Sequence, residues 1–216
     1  SDDLAAVLRV LGSLPSAEAD TIQAIVQGLA AKQGSDLAQQ LAAVTGGQAE
    51  QLMKNLLSTA ATTAANRESK VEDRVSAVQR LRLGDLEGRE SLFTNLLTPT
   101  ESSEIQAAAI ATLATFESPE VANILVAQWK GLSPRLRGRA GDVLFSREAW
   151  IPALLSAVEG GSIAMGDLEP TRMKLLASHR DEGIKQRADK LLASTKSSDR
   201  DSLIEEYRSS LELQGD

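Results

Sequence analysis

The stretch ESPEVANILVAQWKGLSPRLRGRAGDVLF, residues 117–145, decides how this chain is read. Val121, Leu125 and Trp129 recur at the spacing of one helical face, and so do Leu136, Ala140, Val143 and Leu144. Ser118-Pro119-Glu120 and Ser133-Pro134 stand ahead of the two runs. A serine there accepts bonds from free backbone N–H groups, and proline fits the first turn. Each run marks one amphipathic helix, and nothing in the stretch alternates as a strand would.

Working outward, the same spacing fills most of the chain. It runs through Leu4, Val7, Leu8 and Leu11, then Ile22 to Leu29, Leu37 to Val44, and Leu52, Leu56 and Ala60. Beyond these come Val71, Val75, Val78; Leu92, Leu96; Ile105, Ala109, Leu113, Phe116; Ile151, Leu154, Leu155, Val158; Met173, Leu176; Ile184, Ala188, Leu191; and Ile204, Tyr207, Leu211. Roughly a dozen short helices are predicted. Ser69-x-x-Glu72, Thr98-x-x-Glu101 and Ser198-x-x-Asp201 fit the reciprocal capping box. Pro152 falls inside an apolar run, which predicts that its helix starts late.

Aligning the hairpins by their first helices puts Val75, Ile105, Leu136 and Met173 in equivalent positions, at intervals of 30, 31 and 37 residues. A period in that range is the mark of a solenoid. The tryptophan, glycine and tyrosine marks of tetratricopeptide units are missing, so short, degenerate HEAT-like hairpins fit best. The expected fold is all-α, a right-handed α-solenoid. Residues 1–66 form its N-terminal helical part, 67–196 the HEAT-like repeats, and 197–216 a C-terminal helix. Residues 58–70 lose large apolar side chains and are expected to be a frayed helix end and hinge.

Composition narrows the chemistry. Of 216 residues 42% are hydrophobic but only 3% aromatic, which suits closely packed helices better than sheets. The formal charge of −7, from 30 acidic and 23 basic residues, opposes nucleic-acid binding. With no cysteine the chain has no disulfide, thiolate metal site or thiol nucleophile of its own. Ser1-Asp2-Asp3-Leu4 does not read as a signal peptide, and no run of about 18 apolar residues is present to span a bilayer. No membrane contact by this segment is expected. The opening without methionine, in mid-helix pattern, suggests a piece of a longer protein.

The single histidine, His179, has neither a cysteine nor a second histidine to work with, and reads as a structural residue near a helix end. Adjacent acids such as Asp2-Asp3, Asp181-Glu182 and Glu205-Glu206 point in different directions on a helix and do not converge as an acid and a base. Gly46-Gly47, Gly131 and Gly160-Gly161 follow apolar helices without any phosphate-loop motif, so they read as helix stops. No catalytic, cofactor or metal residue is assigned. Arg135, Arg137, Arg139 and Arg147 form the sharpest charge feature of an acidic chain and are candidates for an anionic partner. Trp129 and Trp150 read as core, and would anchor a partner only if partly exposed.

From Arg135 onward the chain carries Arg139-Ala140, Leu144, Arg147, Trp150, Leu154-Leu155, Ala157, Glu159-Gly160, Asp167-Leu168, Ala188 and Leu191-Leu192. It closes on Arg200 and Tyr207-x-x-x-Leu211-x-Leu213-x-Gly215-Asp216. This pattern resembles the HEAT-like segment of the large, membrane-bound-dehydrogenase-like c-type haem proteins of planctomycetes. The resemblance implies a β-propeller before the repeats and a Cys-x-x-Cys-His cytochrome domain after them. It places haem c in the parent protein, with no cofactor in this chain, and an exported or periplasmic location. The implied function is a non-catalytic scaffold that spaces those domains and contacts them or other proteins. A free-standing adaptor that binds peptide or protein in a groove is the alternative. An all-α enzyme whose acids converge only in the fold is the reading from another class.

Overall fold

The computed structural model describes residues 48–194. The helices expected before residue 48, Gly46-Gly47, the Ser198-x-x-Asp201 box and the closing Tyr207 to Asp216 motif lie outside the described residues. Among the described residues there are nine helices and no strand, so this part of the chain is all-α. They fall into two compact units that divide between Ser118 and Pro119, within the span 67–196.

The first unit holds α1 (Gln48–Ala65), α2 (Val71–Arg80), α3 (Glu90–Leu96) and α4 (Ser103–Leu113). α1 packs on α2 and α3 on α4, while α1 also meets α3 and α2 meets α4. Two hairpins are therefore stacked, first helix on first and second on second. The inward face of α1 is Met53, Leu57, Ala60 and Ala64, one position on from Leu56. The helix continues through residues 58–65 without fraying, because Ala60 and Ala64 are buried at 2% and 0% exposure and let α2 come close. Gly84 belongs to the same close approach, since a Cβ built there would stand 2.5 Å from Leu57 Cδ1. Phe93 and Phe116 close the core edge to face, with centroids 5.7 Å apart.

In α2 the inward face is Arg74, Ala77 and Val78, followed by Leu81, whereas Val71 is 37% exposed. Arg74 is buried because α1 and the loop before α4 supply acceptors. Its Nε donates to the Ala64 carbonyl at 2.9 Å, at the end of α1, and its Nη1 meets Glu101 Oε2 at 2.9 Å. The other oxygen of Glu101 accepts from Arg67 Nε at 3.0 Å, and both the Arg74 and Glu101 side chains are at most 6% exposed. Glu101 is thus no capping-box residue. Ser102 caps α4, its Oγ accepting the Ile105 N–H, and α2 begins after Lys70 without a cap from Ser69.

The second unit holds α5 (Glu120–Gln128), α6 (Pro134–Phe145), α7 (Ile151–Glu159), α8 (Pro170–Leu176) and a last helix, α9, over 182–194. α5 packs on α6 and α7, and α6 also meets α7. Ser133 caps α6 with Pro134 in its first turn. α7 does not start late: it begins at Ile151, the first residue of its apolar run, after a 3-10 turn at Glu148–Trp150, and its first turn accommodates Pro152. Its end is a Schellman turn in which Ser162 N–H reaches the Ala157 carbonyl and Gly161 N–H the Val158 carbonyl. Gly161 holds φ at +70°, a left-handed value that suits glycine.

The second helices of three hairpins share one register. Counting from the first residue of α2, α4 and α6, the seventh position is Ala77, Ala109 and Ala140, and the eleventh is Leu81, Leu113 and Leu144. All six are 0% exposed. The fourth position is Arg74, Gln106 and Arg137, and each donates to carbonyls at the end of the preceding helix. Gln106 Nε2 reaches the Leu97 and Thr98 carbonyls at 3.1 and 2.8 Å. The repeat interval on Ala77, Ala109 and Ala140 is 32 and then 31 residues, so the equivalent of Ile105 and Leu136 in α2 is Asp73 and not Val75, and these are second helices of their hairpins, not the first helices expected.

Replacing Glu101 with glutamine leaves the buried Arg74 cation without its anion and is expected to cost about 3 kcal/mol in urea unfolding. Converting both Arg74 and Glu101 to methionine is expected to recover most of that loss. At the shared alanine position, Ala109→Leu overpacks the contact and is expected to cost about 1–3 kcal/mol, read as a lower midpoint in the same experiment.

Candidate functional surface

Four of the six residues singled out for partner binding are built into the second unit. Trp129 is 1% exposed, and its Nε1 donates to Asp167 Oδ2 at 3.0 Å. Arg137 donates through Nε to the Trp129 carbonyl at 3.1 Å and through Nη2 to the Lys130 carbonyl at 3.1 Å. Its Nη1 lies 3.3 Å from both oxygens of Asp167. One carboxylate thus fixes an indole and a guanidinium, and the guanidinium in turn bonds the carbonyls of the 3-10 turn that follows α5. Gly141 of α6 lies against the same indole, a built Cβ falling 3.7 Å from Trp129 Cη2. Trp150 is fully buried, and the Arg147 guanidinium stands 5.1 Å from its ring centroid.

Arg135 and Arg139 are different. Both are exposed, one turn apart on α6, on the side away from Leu136, Ala140, Val143 and Leu144. Neither is in an ion pair among the described residues. Other arginines of this unit are paired with carboxylates, Arg137 with Asp167, Arg172 with Asp142 at 2.8 Å, Arg180 with Glu148 at 2.6 Å and Arg187 with Glu159 at 2.8 Å. Arg172 also stacks over the Phe145 ring at 5.5 Å, which ties α8 to the α6 side that bears Asp142.

His179 follows α8, and its Nδ1 accepts the Asp181 N–H at 3.0 Å, so that nitrogen carries no proton in this geometry. Asp181 Oδ1 then accepts the Ile184 N–H at 3.0 Å and caps α9. Glu182, next in sequence, turns to Lys185 at 3.3 Å. The histidine and these acids therefore organise a turn and a helix start. No group of three or more His, Asp or Glu side chains that could hold a metal ion occurs among the described residues. Among the same residues no helix is long and apolar enough to cross a membrane.

Three carboxylates are held below their ordinary value of 4.5, each by local bonds. Glu159 is lowered by the hydrogen bonds from Arg187, Glu169 by those from Thr171 at the start of α8, and Glu104 by its own backbone N–H with Ser102 and Ser103. They sit at separate helix ends and edges, so they do not form an acid and base pair. Sequence reasoning missed Asp167 as a hub, because its partners lie 30 and 38 residues away. No family model, no curated protein and no solved structure matches this chain.

Asp167→Ala strands both the Trp129 Nε1–H and the Arg137 guanidinium, and is expected to lower stability by about 2–3 kcal/mol in urea unfolding followed by circular dichroism. The Glu159 to Arg187 pair, which fixes α9 on α7, sets a pH dependence. A depressed carboxylate contributes stability above its unfolded value, and that contribution is lost as pH falls through the lower folded value. Protection factors of the α9 amides, corrected for the intrinsic slowing of exchange in acid, are therefore expected to fall below pH 4.5, and Glu159→Gln to remove this pH dependence. The pair is partly exposed, so the effect is expected to stay under about 1 kcal/mol.

Proposed function

We propose that this chain is a non-catalytic scaffold and protein-interaction segment, a right-handed α-solenoid of HEAT-like hairpins. The observation that carries this reading is the shared register of α2, α4 and α6. Alanine and leucine recur at fixed, fully buried positions, and a polar side chain at a third fixed position closes the hairpin. Stacking of first helix on first and second on second inside the first unit, and of α5 with α7 in the second, supports it further. Repeats of this kind bury one continuous core by contact between neighbours and leave their outer faces to partners. The titratable groups described above are engaged in caps, turns and ion pairs, which favours an interaction role over an all-α enzyme.

The larger context proposed is that of the resemblance, an exported redox protein in which this segment spaces a propeller domain from a c-type cytochrome domain. Tyr207, Leu211, Leu213, Gly215 and Asp216 support it from the sequence side. Haem c would then belong to the neighbouring domain and not to any residue here. Reading the gene on both sides of this segment tests the proposal. A Cys-x-x-Cys-His motif shortly after Asp216, with an export signal far upstream, is the expected result, and a reading frame that stops near Asp216 would leave the adaptor reading in its place. In the parent protein, His179→Ala is expected to leave redox turnover within about twofold of wild type, since the imidazole shapes a turn.

A further inference from the structure

We propose that α8 and α9 form an electrostatically latched end segment, which detaches from α6 and α7 as a unit while α5, α6 and α7 stay folded. Its packing is thin. From Pro170 to Ser194 only Met173, Leu176, Ile184 and Ala188 are buried, four of 25 residues, whereas 17 of the 40 residues from Glu120 to Glu159 are buried. A segment with so little buried apolar area opens before the core on which it lies. Leu175 of α8 turns away from that core altogether, at 65% exposure.

Charge supplies the rest of the attachment. Between Pro170 and Ser194 stand six basic and three acidic residues, a net of +3 in a chain of −7. Arg172 meets Asp142 at 2.8 Å, Arg180 meets Glu148 at 2.6 Å and Arg187 meets Glu159 at 2.8 Å. In each pair the cation belongs to the end segment and the carboxylate to α6, α7 or the turn between them. Arg187 also donates to Ser156 Oγ at 2.8 Å and to the Pro152 carbonyl at 3.4 Å, both of α7. One exposed pair of this kind contributes little, but three of the same polarity act together on a short segment, and all three weaken as salt rises.

The residues on either side of the boundary set the hinge. Asp167 is fixed by Trp129 and Arg137, and Leu168 is buried, so the chain is anchored up to that point. Glu169 caps α8 by accepting the N–H groups of Thr171 and Arg172 and moves with it. The turn from His179 to Asp181, closed by the Asp181 N–H on His179 Nδ1 and by the Ile184 N–H on Asp181 Oδ1, lies within the moving piece, so α8 and α9 leave together. Detachment bares Asp142, Glu148 and Glu159 and leaves the bonds of Asp167 intact. This device goes beyond the scaffold reading and does not depend on which domains flank the chain.

The test is hydrogen exchange of the whole chain, read helix by helix as protection factors. Going from low salt to about 1 M sodium chloride is expected to lower protection in α8 and α9 together, with α5, α6 and α7 changed by less than about twofold. At low salt, Glu159→Arg is expected to lower protection in both α8 and α9 by about tenfold, and adding Arg187→Glu to bring it back to within about threefold of wild type. A salt-insensitive end segment, or failure of the reciprocal change to restore protection, would mean that apolar packing holds it, and would overturn the proposal. So would an equal loss in α5, α6 and α7, which would make the second unit one cooperative body, or a loss in α9 alone, which would make the two helices independent.

Discussion

Each first helix of a hairpin ends in carbonyl groups that have no partner within the helix. How they are bonded is the constraint on which the rest of this structure depends. In three hairpins the answer is one side chain in the first turn of the returning helix, Arg74, Gln106 or Arg137. A donor placed there fixes how far the second helix slides along the first. Once that is set, the alanine three positions later meets the neighbouring helix at close range and the leucine beyond it fills the core.

The three donors differ in what they require. Gln106 is neutral and satisfies two carbonyls with its amide alone. An arginine at the same position brings a charge into the contact, and a buried charge is tolerated only with an anion beside it. Glu101 supplies it for Arg74 and Asp167 for Arg137, in each case from a loop outside the hairpin that the arginine closes. The cation therefore ties a third segment to the two helices, at the cost of leaving Arg74 Nη2 buried without a bond. Glu101, which looks like a surface acid in the sequence, is for this reason part of the interior.

The helices were largely legible because apolar periodicity survives wherever the inward face is made of large side chains. Ile105, Ala109 and Leu113, or Leu136, Ala140 and Leu144, show it directly. It was misread where small or charged residues carry the face. Ala60 and Ala64 look like the fading of a helix but are its tightest contact, and Arg74 in a core position shifted the apparent face of α2 toward Val71 and Val75. Of the candidate surface, the basic cluster of α6 was visible in sequence. Its division into structural Arg137 and exposed Arg135 and Arg139 was not, since that depends on Asp167, which comes near only through the fold.

Both tryptophans of the chain, Trp129 and Trp150, lie in the second unit, whereas the described aromatic contact of the first is between two phenylalanines. Intrinsic tryptophan emission is thus a signal from one half of the described structure and is silent about the other. An unfolding curve recorded by emission and one recorded by helical signal would superimpose only if the two halves melt as a single cooperative body. The uneven placement of two indoles makes the chain its own gauge of whether it behaves as one domain or as an array that loses its repeats piecemeal.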